Sequence, residues 1–403
     1  MTLSPMELEH QFGAQNYAPL PVVLKRAEGV FVWDEAGKRY FDMMSAYSAV
    51  SHGHCHPKLV DALCSQAHQL AVVSRAFYSD KLGVFLKRAC EVAGQDRALP
   101  MNSGAEAVET ALKAARKWAY TQKKVPTDQA EIIACAGNFH GRTITIVGMS
   151  SEPQYRSGFG PFPAGFTVIP YGDAAALEKA ITNRTAAFLV EPIQGEGGIV
   201  LPPVGYLREC AAICKKHNVL LICDEIQTGM GRTGKFLACE HEAVKPDAVL
   251  LGKALGGGLL PVSLFLSCQE VMSVFTPGDH GSTFGGNPLA AAVGLVALNT
   301  LFDEGLITRA AELGEYFLKK LQAIRSPLIK AVRGKGLLIG LEVGMEYSAR
   351  LLCMHLLEAG VLTKETHDTV LRIAPPLVIT KEQIDEVSMI IAQVLWANEK
   401  ALI

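Results

Sequence analysis

Three short stretches combine residue types that could do chemistry together. Asp224 follows the apolar run Val219-Leu-Leu-Ile-Cys223, where a carboxylate ending a buried strand can face a ligand cation. Lys253 follows Ala248-Val-Leu-Leu-Gly252 and precedes Ala254-Leu-Gly-Gly-Gly258. Partial desolvation at such a strand end lowers an amine's pKa and makes it nucleophilic, and the glycines let a bulky ligand approach the backbone. Asn102-Ser-Gly-Ala105 opens a helical pattern, so its free N–H groups and the helix dipole favour a phosphate. Singly, each has a plainer reading: a turn aspartate, a lysine that snorkels to the surface, an ordinary N-cap. Together they are far more specific. Pyridoxal phosphate needs a phosphate cradle, an acid to keep its ring nitrogen protonated, and a lysine for its aldehyde.

The surrounding pattern can position such a set. Ile132–Ala134, Thr143–Val147, Ala187–Val190, Leu220–Cys223, Val249–Leu251 and Leu264–Leu266 read as buried strands. Helical patterns fall between many of them, at Ala105–Tyr120, Ala174–Ile181 and Gly205–His217. This alternation predicts an α/β domain on a largely parallel sheet, with ligands beyond the carboxyl ends of the strands. Asp224 and Lys253 would then end neighbouring strands. After about Asn287 the pattern changes: a long helical region to Leu321, strands at Leu337–Val343 and Val370–Ile373, and a final helix capped by Thr380 and Gln383. The expected division is an N-terminal segment (1–45) packing with the small domain, a large cofactor domain (46–287) and a smaller α+β domain (288–403). Asp34-Glu-Ala-Gly37 reads as the turn of an N-terminal hairpin.

Composition removes other classes. With 49% hydrophobic and 19% charged residues over 403 positions, the chain can bury a large core and is not a disordered one. A formal net charge of -2 gives no bias toward nucleic acid or anionic membrane. The ten cysteines lack disulfide-framework spacing, which points to a reducing compartment. Met1–Gln15 has no apolar targeting core, and Pro288–Leu298 is too short to span a bilayer. The expectation is a cytoplasmic protein with small-molecule substrates, not a nucleic-acid or membrane partner.

Longer motifs carry a resemblance. Asp224-Glu-Ile-Gln-Thr-Gly-Met-Gly-Arg-Thr-Gly234, Leu251-Gly-Lys-Ala-Leu255, Glu191-Pro-Ile-Gln-Gly-Glu196 and Gly281-Ser-Thr-Phe-Gly-Gly-Asn-Pro288 resemble the class III pyridoxal-phosphate aminotransferases, from about Tyr17 to the last helix. Within the class, Asn16-Tyr-Ala-Pro-Leu-Pro21, Ser45-Ala-Tyr-Ser-Ala-Val50, Ser74-Arg-Ala-Phe-Tyr78 and Leu371-Arg-Ile-Ala-Pro-Pro-Leu377 are most similar to the branch acting on ornithine. The resemblance implies fold type I, pyridoxal phosphate as cofactor, a homodimer with shared sites, and transfer of ornithine's δ-amino group to 2-oxoglutarate.

It also implies residue roles. Lys253 would hold the cofactor covalently and later shuttle the proton, Asp224 would pair with the ring nitrogen, and Gln227 would bond the ring hydroxyl. Phe139 and Ile226 would cover the ring faces, with His140 beside them. Gly104 and Ala105 would hold the phosphate, joined by Ser282 and by Thr283 reaching across to a partner subunit. Tyr17 and Arg142 would bind ornithine's α-carboxylate and Tyr47 would favour that substrate. Arg372 would take the α-carboxylate of 2-oxoglutarate, with Glu196 masking it while ornithine is bound. Phe284, where the animal members often carry Tyr, and Leu260, in place of another aromatic, are departures at the rim. Alternatives are a class III enzyme for N-acetylornithine or 4-aminobutyrate, a same-fold aminomutase, a binding protein without catalysis, or remotely a dinucleotide dehydrogenase.

Other patterns read as decoys. Gly229-Met-Gly-Arg-Thr-Gly234 fits G-x-G-x-x-G, yet Phe236 stands where a P-loop needs Ser or Thr and Asp247 is too near for a ribose ligand; the glycines suit a loop beside the cofactor. His52, His54 and His56 in one turn rarely converge on a metal, and Cys210 and Cys214 share one helix face.

Overall fold

A computed structural model describes residues 3–345 and 347–399. Its centre is a seven-stranded sheet in the order 97–101, 263–267, 248–251, 220–224, 185–190, 131–135, 166–169. All neighbours run parallel except Ser263–Ser267, which is antiparallel to both of its partners. The inner strands Thr185–Val190, Leu220–Asp224 and Ala248–Leu251 are buried at every position. That is why they are continuous apolar runs: helices cover both faces of a parallel sheet.

One expected strand is a helix. Thr143–Val147 is rich in β-branched residues, but Ile144–Gly148 is helical and Thr143 is its N-cap, its Oγ1 accepting from Ile146 N at 3.3 Å. The cap and the packing of Ile146 and Val147 into the interior override strand propensity.

The N-terminal hairpin Phe31–Asp34/Arg39–Asp42 forms with the turn at Asp34–Gly37. Its Arg39–Asp42 strand pairs in parallel with Val361–Leu362, so the first and last parts of the chain share a sheet. A second four-stranded antiparallel sheet has the order 329–335, 338–343, 370–373, 365–366. The long helical region after Asn287 is two helices, Pro288–Asp303 and Leu306–Gln322, broken at Gly305 with φ 62°. The final helix Lys381–Glu399 starts with reciprocal bonds between Thr380 and Gln383. No single helix among the described residues is long and apolar enough to cross a membrane.

The glycine loop after Asp224 packs against the C-terminal part of the chain. Its glycines serve that junction. A Cβ on Gly234 would sit 2.7 Å from Ala311, and one on Gly231 would sit 3.1 Å from Ile307. Between them Arg232 is wholly buried, donating to the carbonyls of Leu337 (3.0 Å) and Pro375 (2.5 Å) and to Ser51 Oγ (3.0 Å). Burial pushes its pKa down to about 9, which still leaves it charged at neutral pH. The three histidines turn apart: His52 to Ala297 O, His54 to Asp42 and His56 to Glu304.

Candidate active site

At the carboxyl ends of the central strands lies a cavity of about 190 Å³ lined by Gly104, Ala105, Phe139, His140, Gly141, Glu191, Glu196, Asp224, Ile226, Gln227, Thr228 and Lys253. Asp224 ends one strand and pairs with Leu250 of the next, so Lys253 emerges just beyond the neighbouring strand end. Lys253 adopts φ 44°, an uncommon conformation for a residue with a Cβ, which turns its side chain into the cavity. Burial lowers its pKa, against the pull of Glu196 and Asp224.

Asp224 is fixed before any ligand is considered. One oxygen lies 2.6 Å from His140 Nδ1 and the other accepts from Ile226 N at 3.1 Å. Burial works to lower the His140 pKa, but the Asp224 carboxylate overrides it and the net shift is upward. His140 thus holds the Asp224 carboxylate at the cavity wall, where a carboxylate can face a ligand cation.

Across the cavity the helix Gly104–Thr121 begins with a capping box: Ser103 Oγ accepts from Glu106 N at 3.2 Å and Glu106 reaches back to Ser103 N at 2.8 Å. Gly104 and Ala105 at the first helical positions have no intrahelical acceptor, so their N–H groups point outward as an anion site. Gly104 also has to be small, because a Cβ there would meet Ile226 Cδ1 at 3.0 Å.

At the cavity edge Glu196 meets Arg372, Oε1 to Nη1 at 2.8 Å, and Gln227 Nε2 donates to the same oxygen at 3.2 Å. Burial opposes ionisation of Glu196, but Arg372 outweighs it and the pKa ends lowered. Arg372 is 2% exposed, yet among the described residues none of its nitrogens is aligned for a hydrogen bond. The contact is ionic and off-axis, which leaves planar donors for another carboxylate. Tyr47 lies over this guanidinium, ring centroid 5.0 Å from Cζ. It stands in a left-handed turn, Ser45–Ser48, whose φ values run from 46° to 73°. On another side of the cavity Arg142 is exposed and stacks 3.9 Å over Tyr155 and 5.6 Å from the Phe139 ring centroid.

Most residues singled out in the sequence therefore meet: Lys253, Asp224, Gln227, Ile226, Phe139, His140, Gly104, Ala105 and Glu196 line one cavity. Arg372, Tyr47 and Arg142 flank it. Three do not line it. Tyr17 is 73% exposed, Thr283 is exposed, and Ser282 bonds to Asn102 Nδ2 at 2.8 Å beside the helix cap. Two further residues, to which the sequence reading gave no role, also shape the site. Glu191 accepts from Phe139 N (3.0 Å) and Gly195 N (3.4 Å), tying two cavity loops together. Tyr155, in a short helical turn within an irregular stretch, underlies Arg142.

A half-buried lysine just beyond one parallel strand and a fixed aspartate ending its neighbour, opposite a helix N-terminus, define a pyridoxal-phosphate enzyme of fold type I. The donor set fits that cofactor: uncommitted N–H groups at one end, Asp224 at another, and a buried Gln227 Oε1 that lacks a partner between them. The chain belongs to the class III aminotransferases, whose family description, Aminotransferase class-III, matches residues 12–395. An ornithine aminotransferase of Brevibacillus brevis is 55% identical, the match covering 98% of this chain and 98% of that one. One of Bacillus subtilis is 56% identical over 96% of this chain and 94% of its own. The solved ornithine aminotransferase of Toxoplasma gondii superposes with a TM-score of 0.97 at 46% identity, covering 98% and 95% of the two chains. An acetylornithine aminotransferase of Elizabethkingia anophelis gives 0.89 at 49% identity, covering 97% and 98%.

Proposed function

We propose that this enzyme takes the δ-amino group of ornithine and delivers it to 2-oxoglutarate, giving glutamate 5-semialdehyde and glutamate. Pyridoxal phosphate, when bound, supplies an electron-withdrawing ring that stabilises the negative charge left as a proton leaves the substrate carbon. Lys253 holds the aldehyde end, and its amine, once released, carries that proton; burial lowers its pKa, which favours the neutral, proton-accepting amine. Asp224, braced by His140, keeps the ring nitrogen charged. Gln227 meets the ring hydroxyl through its unpaired Oε1, Phe139 and Ile226 cover the two faces, and the N–H groups of Gly104 and Ala105 hold the phosphate. Ser282 steadies that end through Asn102.

The observation that carries the substrate choice is the Glu196–Arg372 pair with Tyr47 above it. With Arg372 masked, an α-carboxylate has its free cation at Arg142, helped by Tyr17, and the δ-amino end is directed to Lys253. When 2-oxoglutarate enters, its α-carboxylate displaces Glu196 from Arg372. We further propose a cytoplasmic homodimer: Phe77, Tyr78 and Phe284 are exposed at 68%, 106% and 56%, an apolar load that a second copy would cover, with Thr283 completing its partner's phosphate site.

Assay with 2-oxoglutarate and each of three donors tests the reading. Ornithine is expected to exceed 4-aminobutyrate in kcat/KM by about a hundredfold or more, since that donor lacks the groups the site is built to hold. N-acetylornithine is the serious competitor, given the relative of that name. A preference for either competitor overturns the proposal.

A further inference from the structure

Arg333 touches neither the cavity nor any residue assigned a role above, yet it holds the loop that presents Glu196. It lies on the Ile329–Lys335 strand of the C-terminal sheet. Its Nη2 donates to Gly198 O at 2.7 Å and its Nε to Ile199 O at 2.9 Å. Nη1 pairs with Glu342, which Lys330 also holds, so the guanidinium plane is fixed from behind. The planar fork of an arginine suits two successive carbonyls; the point charge of a lysine does not.

The loop needs holding. Gly198 has φ 105°, and Ile199 has φ 52°, a conformation that a β-branched residue rarely adopts. Ile199 is wholly buried, and its side chain packs against the C-terminal sheet at Gly340, where an added Cβ would come within 3.1 Å of Ile199 Cβ. Thr366 Oγ1 donates to Glu196 O at 2.6 Å from the same sheet. Arg372 itself is on the neighbouring strand, register-paired with Gly340. Thus the carboxylate that masks Arg372 is delivered by a strained loop of the large domain, clamped onto the sheet that carries Arg372.

We infer that Arg333 is a positioning residue for amino-group selectivity: by clamping Gly198 and Ile199 it sets how well Glu196 masks Arg372. This rests on the masking role proposed above. Without the clamp the strained loop relaxes, Glu196 moves off Arg372, and ornithine can dock its α-carboxylate there, bringing its α-amino group to Lys253.

The test is the product ratio in single turnovers with ornithine, counting glutamate 5-semialdehyde against the 2-oxo acid formed by α-attack. Glu196→Ala, Arg333→Met, Arg333→Lys and Gly340→Ala are compared with the wild type. Arg333→Met should raise the α-to-δ ratio by about tenfold, the scale of one lost hydrogen bond to a charged group, with Arg333→Lys between it and wild type. Hydrogen exchange of residues 195–200 should quicken in Arg333→Met. Gly340→Ala, which presses on Ile199 and retains the Arg333 side chain, should shift the ratio the same way and serves if Arg333→Met does not fold. A shifted ratio in Glu196→Ala with wild-type ratios in Arg333→Met and Gly340→Ala overturns the clamp alone. An unchanged ratio in Glu196→Ala overturns the masking role, and the clamp with it.

Discussion

The floor of the cavity and its gate are built on opposite plans. The floor comes from one sheet and its loops: Asp224 has both oxygens engaged by His140 and Ile226 N, and the anion site is set by a closed capping box. The gate joins distant parts of the chain, and its arginine is buried with donors uncommitted. It also leans on left-handed residues at Ser45–Ser48 and Ile199, where the floor has one at Lys253. The difference follows from use. Both halves of an amino transfer employ the same floor, so preorganisation serves both. On the proposed reading the gate must offer a masked and an unmasked Arg372, so neither state can be locked by ideal bonds.

Substitutions should separate the two plans. On the proposed reading Lys253→Ala removes the attachment and the proton carrier together, and both half-reactions should fall by about 10⁴-fold. The absorbance of the purified protein checks the attachment independently of rate. If Lys253→Ala holds the cofactor covalently and turns over normally, the floor has been misassigned. Arg372→Leu, at the gate, should instead be lopsided. It should lower kcat/KM for 2-oxoglutarate by about a hundredfold or more, as the loss of one partner of a desolvated ion pair does, while the ornithine half falls much less. Equal losses in both halves would show that Arg372 belongs to the floor.

Glu191 joins the two plans, since its carboxylate holds both Phe139 N and Gly195 N. Burial pushes its pKa up to about 7, with His140 opposing and Asp224 adding to the shift; Lys253 also feels its charge. A folded-state pKa above that of the unfolded chain gives stability that is full at low pH and lost as pH rises through the folded value. Glu191→Gln has nothing to titrate there. Its stability relative to wild type should therefore climb between about pH 5 and 7 and level off above, by on the order of 2 kcal/mol. Denaturant midpoints across that range would show it, and a flat difference would mean that Glu191 stays ionised in the fold.

Legibility in the sequence tracks how local each structural cause is. Inner strands were readable because burial on both faces makes them continuous apolar runs. The edge strands Arg97–Met101 and Phe166–Ile169 were not: one carries Pro100 and an exposed Arg97, the other is half open to solvent. Lys253 and Asp224 stood out as polar residues ending apolar runs, and Gly104–Ala105 as a helix start. Thr143–Val147 was misread because strand propensity is blind to a capping threonine. Glu191, Tyr155 and Arg333 act through contacts between loops or between sheets, and no periodicity in the chain encodes those partners. The glycine loop shows the same limit from the other side. Its small residues were visible, but whether they admit a cofactor or helix Leu306–Gln322 depends on packing that the sequence alone does not display.

The smallest effect probes the strain on the gate side. Ala46 sits in the left-handed turn below Tyr47, with φ 46° and ψ 53°, and its side chain is exposed. An L-residue in that conformation costs roughly 1–2 kcal/mol, which glycine escapes, while glycine's freer unfolded chain returns part of the gain. Ala46→Gly should thus raise stability by about 0.5–1 kcal/mol. The surrounding anchors remain: Ser45 N and Met44 N both donate to Asp42 Oδ1, and Ser45 Oγ donates to Ala374 O at 2.7 Å. They hold the turn in place, so Tyr47 should stay over Arg372 and the preference for ornithine should not change. A stabilised variant with unaltered selectivity would show that the strain is a by-product of placing Tyr47. If Ala46→Gly instead loosens the preference for ornithine, the stiffness of the turn is itself part of the gate.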